Sequence, residues 1–166
     1  WLAVRRAKLG LADGGDRALD EALADDWLRL LHAHRVDWTL AHRQLAPALA
    51  GHEAPLRALF DPAESLTVLP DGTEPVRLDD WLARWRQRPH PPQAVAAMAR
   101  ANPVYIPRNQ AVEGALEAAV EHHDLAPFER LLAVVSQPFD ERPRDAAYAR
   151  PASAAESLGY RTFCGT

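Results

Sequence analysis

The feature that most limits how this chain can fold is a pair of apolar stripes at helical spacing, set between prolines over residues 102–138. From Asn109, the residues Val112, Ala115, Leu116, Ala119 and Val120 fall at i, i+3, i+4, i+7 and i+8, one face of an amphipathic helix. A second stripe, Leu125, Phe128, Leu131, Leu132 and Val135, follows at once. Asn102-Pro103 ends the preceding helix, because a proline ring disfavours the α region for the residue before it, and Pro107 sets the entry to the first stripe. The spacing predicts that the first helix ends at His123 and that Asp124 caps the second, with Pro127 tolerated in its first turn. A link of about two residues folds the stripes back on each other as a helical hairpin over 109–136, closed by Ser136-Gln137-Pro138.

The rest of the chain reads mostly as helix. Trp1 to Leu11 carries Leu2, Arg5, Arg6 and Leu9 in a helical run, ended by the turn Asp13-Gly14-Gly15. Asp16 caps the next helix, whose inward face is Leu19, Leu23, Trp27, Leu30, Leu31 and His34. Its other face, with Asp20, Glu21, Asp25 and Arg29, is expected to be solvated. Asp37 caps a third helix that runs through Leu45 until Pro47 interferes, and a short helix spans Glu53 to Phe60, stopped by Asp61-Pro62. Residues 66–78 place Pro-Asp-Gly between two short apolar runs, a turn signal compatible with a minor β-hairpin whose second arm Pro75 confines to an edge. Asp79 is expected to cap a helix carrying Trp81, Leu82 and Trp85, and a further helix spans Gln93 to Ala101 with Val95, Met98 and Ala99 inward. The fold class is therefore all-α, with about six to eight helices in one helical region over residues 1–150. Residues 151–166 have no sustained period and read as an extended or mobile tail carrying Cys164.

Composition narrows the function classes. A chain of 166 residues with 48% hydrophobic content can bury a core as one domain. Its net charge of −4 gives no reason to expect nucleic acid or an anionic membrane as a partner, and no apolar run reaches membrane-spanning length. Arg84, Arg86 and Arg88 beside Trp81 and Trp85 are read as arginine stems covering a tryptophan core rather than as a nucleic-acid surface. His32 and His34 diverge on their helix, as do His122 and His123, and HExxH and cysteine-rich zinc patterns are lacking, so no metal site is expected. Lys8 is the only lysine among 19 basic residues and follows no glycine-rich loop, so the fragment is not expected to bind a nucleotide cofactor. The chain opens on Trp1 inside a helical run, and the expectation is a piece of a longer protein.

Other residues carry a resemblance. Asn102-Pro103-x-Tyr105-Ile106-x-Arg108-Asn109, followed by Ala111, Glu113, Asp124 and Pro138-Phe139-Asp140-Glu141, resembles the C-terminal region of the selenoprotein O (SelO) family. Matches in the same order include Arg6-Ala7-Lys8-Leu9-Gly10-Leu11, Asp37-Trp38-Thr39, Trp81 with Trp85, and Cys164. The sequence departs from the family at Pro107, at His123 where a glycine is usual, and in the ending Cys164-Gly165-Thr166. The resemblance implies a protein-kinase-like parent that transfers AMP from ATP, with Mg²⁺, to Ser, Thr or Tyr hydroxyls of protein substrates. Its nucleotide and metal residues would lie upstream of Trp1.

On that footing the chain is expected to be noncatalytic, a support for the upstream kinase-like lobe. The family-motif residues Asn102, Pro103, Tyr105, Arg108, Asn109, Pro138 and Glu141 are read as structural, with Asn109 an N-cap and Arg108 pairing with an acidic residue of the neighbouring lobe. A single cysteine permits no disulfide within the chain and fits a bacterial cytoplasm. The resemblance makes Cys164 a redox residue that pairs with the kinase-like part, a closure worth about 3 to 5 kcal/mol in chain entropy. The alternative is an independent helical module that binds a protein partner and has no activity.

Overall fold

The computed structural model describes residues 1–60 and 76–153. Among the described residues there are nine α-helices and one 3₁₀ turn, with no strand, so the fold is all-α. Seven helices span eight residues or more, and two are single turns of four. The expected hairpin at 66–78 falls mainly outside the described residues, although Leu78 already belongs to a helix. The tail carrying Cys164 lies outside them from residue 154 on. The chain divides into two compact units, Trp1–Pro103 and Val104–Thr166.

The first unit begins with α1 (Leu2–Leu9), which stops at Gly10 rather than at the later Asp-Gly-Gly turn. Gly10 adopts φ 67, and the amide of Leu11 reaches back to the Arg6 carbonyl, the left-handed ending that only glycine takes without cost. A methyl group there would meet the Met98 sulfur at 2.3 Å, so the site excludes side chains twice over. Asp16 caps α2 (Arg17–Ala33) by accepting from the Ala18 and Leu19 amides, and Asp37 caps α3 (Trp38–Leu49) through the Leu40 amide. Pro47 does not end α3, which continues to Leu49. Its neighbours Leu45, Ala46 and Ala48 are buried, and that packing offsets the lost backbone bond.

After the short α4 (Ala54–Arg57), α5 (Leu78–Gln87) starts two residues earlier than expected. Arg77, not Asp79, is the boundary residue, and Asp79 and Asp80 sit in the first turn where the helix dipole favours them. α6 (Ala94–Ala101) buries Met98 but leaves Val95 40% exposed, so that side chain does not point inward. Trp27, Trp81 and Trp85 form the centre of the core, with ring centroids 4.4 Å apart for the first pair and 5.4 Å for the second. Each indole N–H is satisfied: Trp81 donates to the Leu23 carbonyl, Trp85 to the Leu9 carbonyl and Trp27 to His42.

One charged residue expected in solvent is inside. Asp20 is 1% exposed and accepts from Arg6 at 2.8 Å and from Arg88 at 2.7 Å. Helical periodicity placed it on the polar face, but its partners lie 14 and 68 residues away, beyond what a local pattern can register.

The second unit holds α7 (Asn109–Glu121) and α8 (Ala126–Val135), packed together across a four-residue link. α7 ends at Glu121, two residues short of expectation, because His123 takes the left-handed conformation with φ 53. Asp124 contributes a capping bond to the Ala126 amide, although Leu125 is the boundary residue. A 3₁₀ turn (Pro143–Asp145) and α9 (Ala146–Ala149) complete the unit around Val104, Tyr105 and Val134.

Candidate functional site

In the first unit, Asn102 is 1% exposed; its amide nitrogen donates to the Lys8 carbonyl at 2.9 Å, and its amide oxygen accepts from Lys8 Nζ at 3.3 Å. Lys8 Nζ also donates to the Ala101 carbonyl at 3.0 Å, and Arg43 donates to the carbonyls of Ala99 and Asn102. Two cations therefore satisfy the orphan carbonyls at the C-terminal end of α6, where the helix dipole is negative. Burial lowers the Lys8 ammonium below its ordinary range.

In the second unit the motif closes a loop on itself. The Tyr105 hydroxyl donates to the Arg142 carbonyl at 3.1 Å and accepts from the Arg142 amide at 2.8 Å. The Pro138 carbonyl accepts from the amides of Val104 and Tyr105 at 2.7 and 3.2 Å. Arg108 donates to the Ala149 carbonyl at 3.1 Å. It is also the boundary residue of α7, so Asn109 is the first helical residue and not the N-cap. Asn109 and Glu141 are exposed, and Pro103 and Pro138 are half-buried.

Two polar centres escaped the reading of the sequence. Asp145 is 1% exposed and holds Arg142 at 2.7 Å together with Arg130. The i,i+3 spacing of Arg142 and Asp145 was the available signal. The other centre is His42, 4% exposed, whose Nδ1 bonds the Trp38 carbonyl at 2.8 Å while Nε2 accepts from the Trp27 indole at 3.2 Å. Both bonds suit a neutral ring. Burial pushes its pKa down to about 4, the Lys8 charge adds to that, and the bond to the Trp38 carbonyl opposes it. A cavity of about 30 Å³ beside it is lined by Arg5, Lys8, Trp27 and Trp38 and is large enough for a water molecule.

The tryptophan-flanking arginines are engaged in ion pairs: Arg84 with Asp26 at 2.7 Å, Arg86 with Glu53, and Arg88 with Asp20. Among the described residues no group of three or more His, Cys, Asp or Glu is placed to hold a metal ion. No described helix is long and apolar enough to cross a membrane. Cys164 lies outside the described residues.

No family model matches the chain. Comparison with curated proteins is informative. A protein nucleotidyltransferase YdiU of Chromobacterium violaceum is 47% identical over 171 residues, covering all of this chain and 33% of the relative. One from Cereibacter sphaeroides is 45% identical over 166 residues, covering all of this chain and 31% of the relative. A third, from Bradyrhizobium, is 43% identical over 169 residues, covering 97% of this chain and 31% of the relative. The chain corresponds to the C-terminal part of proteins of the YdiU, or SelO, family.

It spans about a third of the length of these YdiU relatives and corresponds to their C-terminal part. The SelO resemblance read from the Asn102–Asn109 string is thereby confirmed. The backbone gives the departure at His123 a physical meaning: φ is 53 there, a conformation glycine takes without cost and this chain gives to a histidine.

Proposed function

We propose that this chain is the noncatalytic C-terminal region of a SelO-like protein adenylyltransferase and that it supports a kinase-like lobe. In the parent, AMP passes from ATP to Ser, Thr or Tyr hydroxyls of protein substrates with Mg²⁺, and the residues that handle phosphate and metal lie outside this stretch. The observation that carries the reading is where the family motif spends its polar groups. Asn102, Tyr105 and Arg108 each donate to a backbone carbonyl of this chain. Groups so engaged hold a shape.

The test is Arg108→Ala in the full-length parent. A structural role predicts that AMP transfer to protein and the melting temperature fall together. Loss of transfer at an unchanged melting temperature would place Arg108 in the chemistry instead. Productive binding of Mg-ATP by the 166-residue chain alone would overturn the noncatalytic assignment. The same proposal includes a bacterial cytoplasmic setting and a redox-active Cys164 that pairs with the kinase-like part. A nonreducing peptide map after mild oxidation checks the pairing, and a thiol that stays free in a parent indifferent to Cys164→Ser would end it.

A second reading, an independent helical module that binds a protein partner, draws on the apolar residues left in solvent on α7 and α8. An autonomous module covers its own core, so this exposure fits a supporting region better.

A further inference from the structure

The hairpin of the second unit is amphipathic on two sides. Inwardly it buries Ala115, Leu131 and Val134. Outwardly Leu116 is 51% exposed, Val120 68%, Phe128 44% and Leu132 52%, and these four belong to the same helical stripes. Between the two helices runs a groove of about 160 Å³ whose walls include Pro107, Val112, Leu116, Phe128, Leu132 and Val135. Its floor and walls are apolar. Beside the stripes the sequence is acidic: Glu113 follows Val112 on α7 and Glu129 follows Phe128 on α8, and both are exposed. The only arginine of the pair, Arg130, is bound to Asp145. A cleft of this kind, greasy along its length and negative at its rim, accepts the apolar face of a helix that carries lysine or arginine beside that face.

The relatives say where such a helix comes from. The matched region makes up about a third of their length, so about two thirds of each relative lies outside it. An apolar face of this extent is covered in a working protein. We propose that the α7–α8 groove docks a basic amphipathic helix contributed by the remainder of the family polypeptide. The proposal rests on the supporting role argued above and gives that role a location.

The experiment mixes the 166-residue chain with the separately produced remainder of its parent and measures association by titration calorimetry at low and high salt. Leu116→Glu/Leu132→Glu puts charge on the groove at positions already half in solvent, and far-UV circular dichroism confirms that helix content is kept. Leu19→Glu, in α2 and 54% exposed, is the matched control outside the groove. Binding should fall at least tenfold in the double variant, persist in the control, and weaken as salt rises. Glu113→Lys/Glu129→Lys should weaken it less and flatten the salt dependence. The proposal is overturned if the wild-type chain does not bind, or if the double variant binds as well as the control. It is also overturned if the chain alone forms a dimer that the double variant dissolves, which gives the groove to a second copy. Greater hydrogen exchange in α7 and α8 after deletion of residues 154–166 would give it to the chain's own tail instead. Failure of the supporting role has a separate signature: a full-length parent that shows groove-dependent association but no AMP transfer.

Discussion

The first unit closes its core and the second does not. Around Trp27, Trp81 and Trp85 the indoles are fully buried and each N–H meets a partner within the unit. Around Val104, Tyr105 and Val134 the apolar cluster is small, and half of the hairpin's aliphatic stripe faces solvent. The difference teaches that helical periodicity reports which residues want to be covered, not what covers them. In α2 and α5 the covering elements belong to the same unit. In α7 and α8 the stripe is equally regular, yet this unit supplies partners for only part of it.

The contrast can be broken most forcefully at Trp85. All five tryptophans lie in the first unit, whereas Tyr105 and Tyr148 lie in the second, so the two carry separate optical reporters. Trp85→Ala should remove about 3–5 kcal/mol from the urea transition followed by tryptophan fluorescence. The Tyr105 environment, followed by NMR, should change much less. A joint shift of both signals would mean that the units unfold as one body and that the contrast is only geometric.

A smaller effect belongs to His42. Its folded pKa of about 4 lies below the ordinary histidine value of 6.5, so well above pH 6.5 the ring is neutral in both states and costs nothing. As pH falls from there, the unfolded chain takes up a proton that the native state refuses. Stability should drop by about 3 kcal/mol in all between pH 6.5 and 4 and then level off. Urea midpoints across that window should show the slope in the wild type, and His42→Gln should remove this contribution.

The least effect is expected at His123 in the second unit. His123→Gly relieves the left-handed backbone and should stabilise the hairpin by about 1 kcal/mol, read as a later loss of α7 and α8 signals in urea. The tryptophan midpoint should stay where it is.

Much of this architecture was legible in the residues themselves. Asp16 and Asp37 cap their helices as their positions indicate, and Trp81 and Trp85 anchor the core as an arginine-flanked pair should. These are local signals, complete within one or two turns. What could not be read was long-range: the burial of Asp20 depends on Arg88, and the burial of Asp145 depends on Arg130 and on how a 3₁₀ turn presents it. The motif string was legible as a family signature, but not in its mechanics. Nothing in the letters says that Tyr105 would grip both backbone groups of Arg142, or that Asn109 would yield the boundary of α7 to Arg108.

Lys8 leaves one more consequence. Its ammonium is anchored to the last carbonyl of α6 and to Asn102, and burial makes it surrender its proton more readily than an ordinary lysine does. An acylating reagent therefore meets an amine that is more often unprotonated than an ordinary lysine's and that is freed of its carbonyl partners when the end of α6 lets go. With no second lysine in the chain, the rate of side-chain acylation becomes a single-site clock for the opening of that junction.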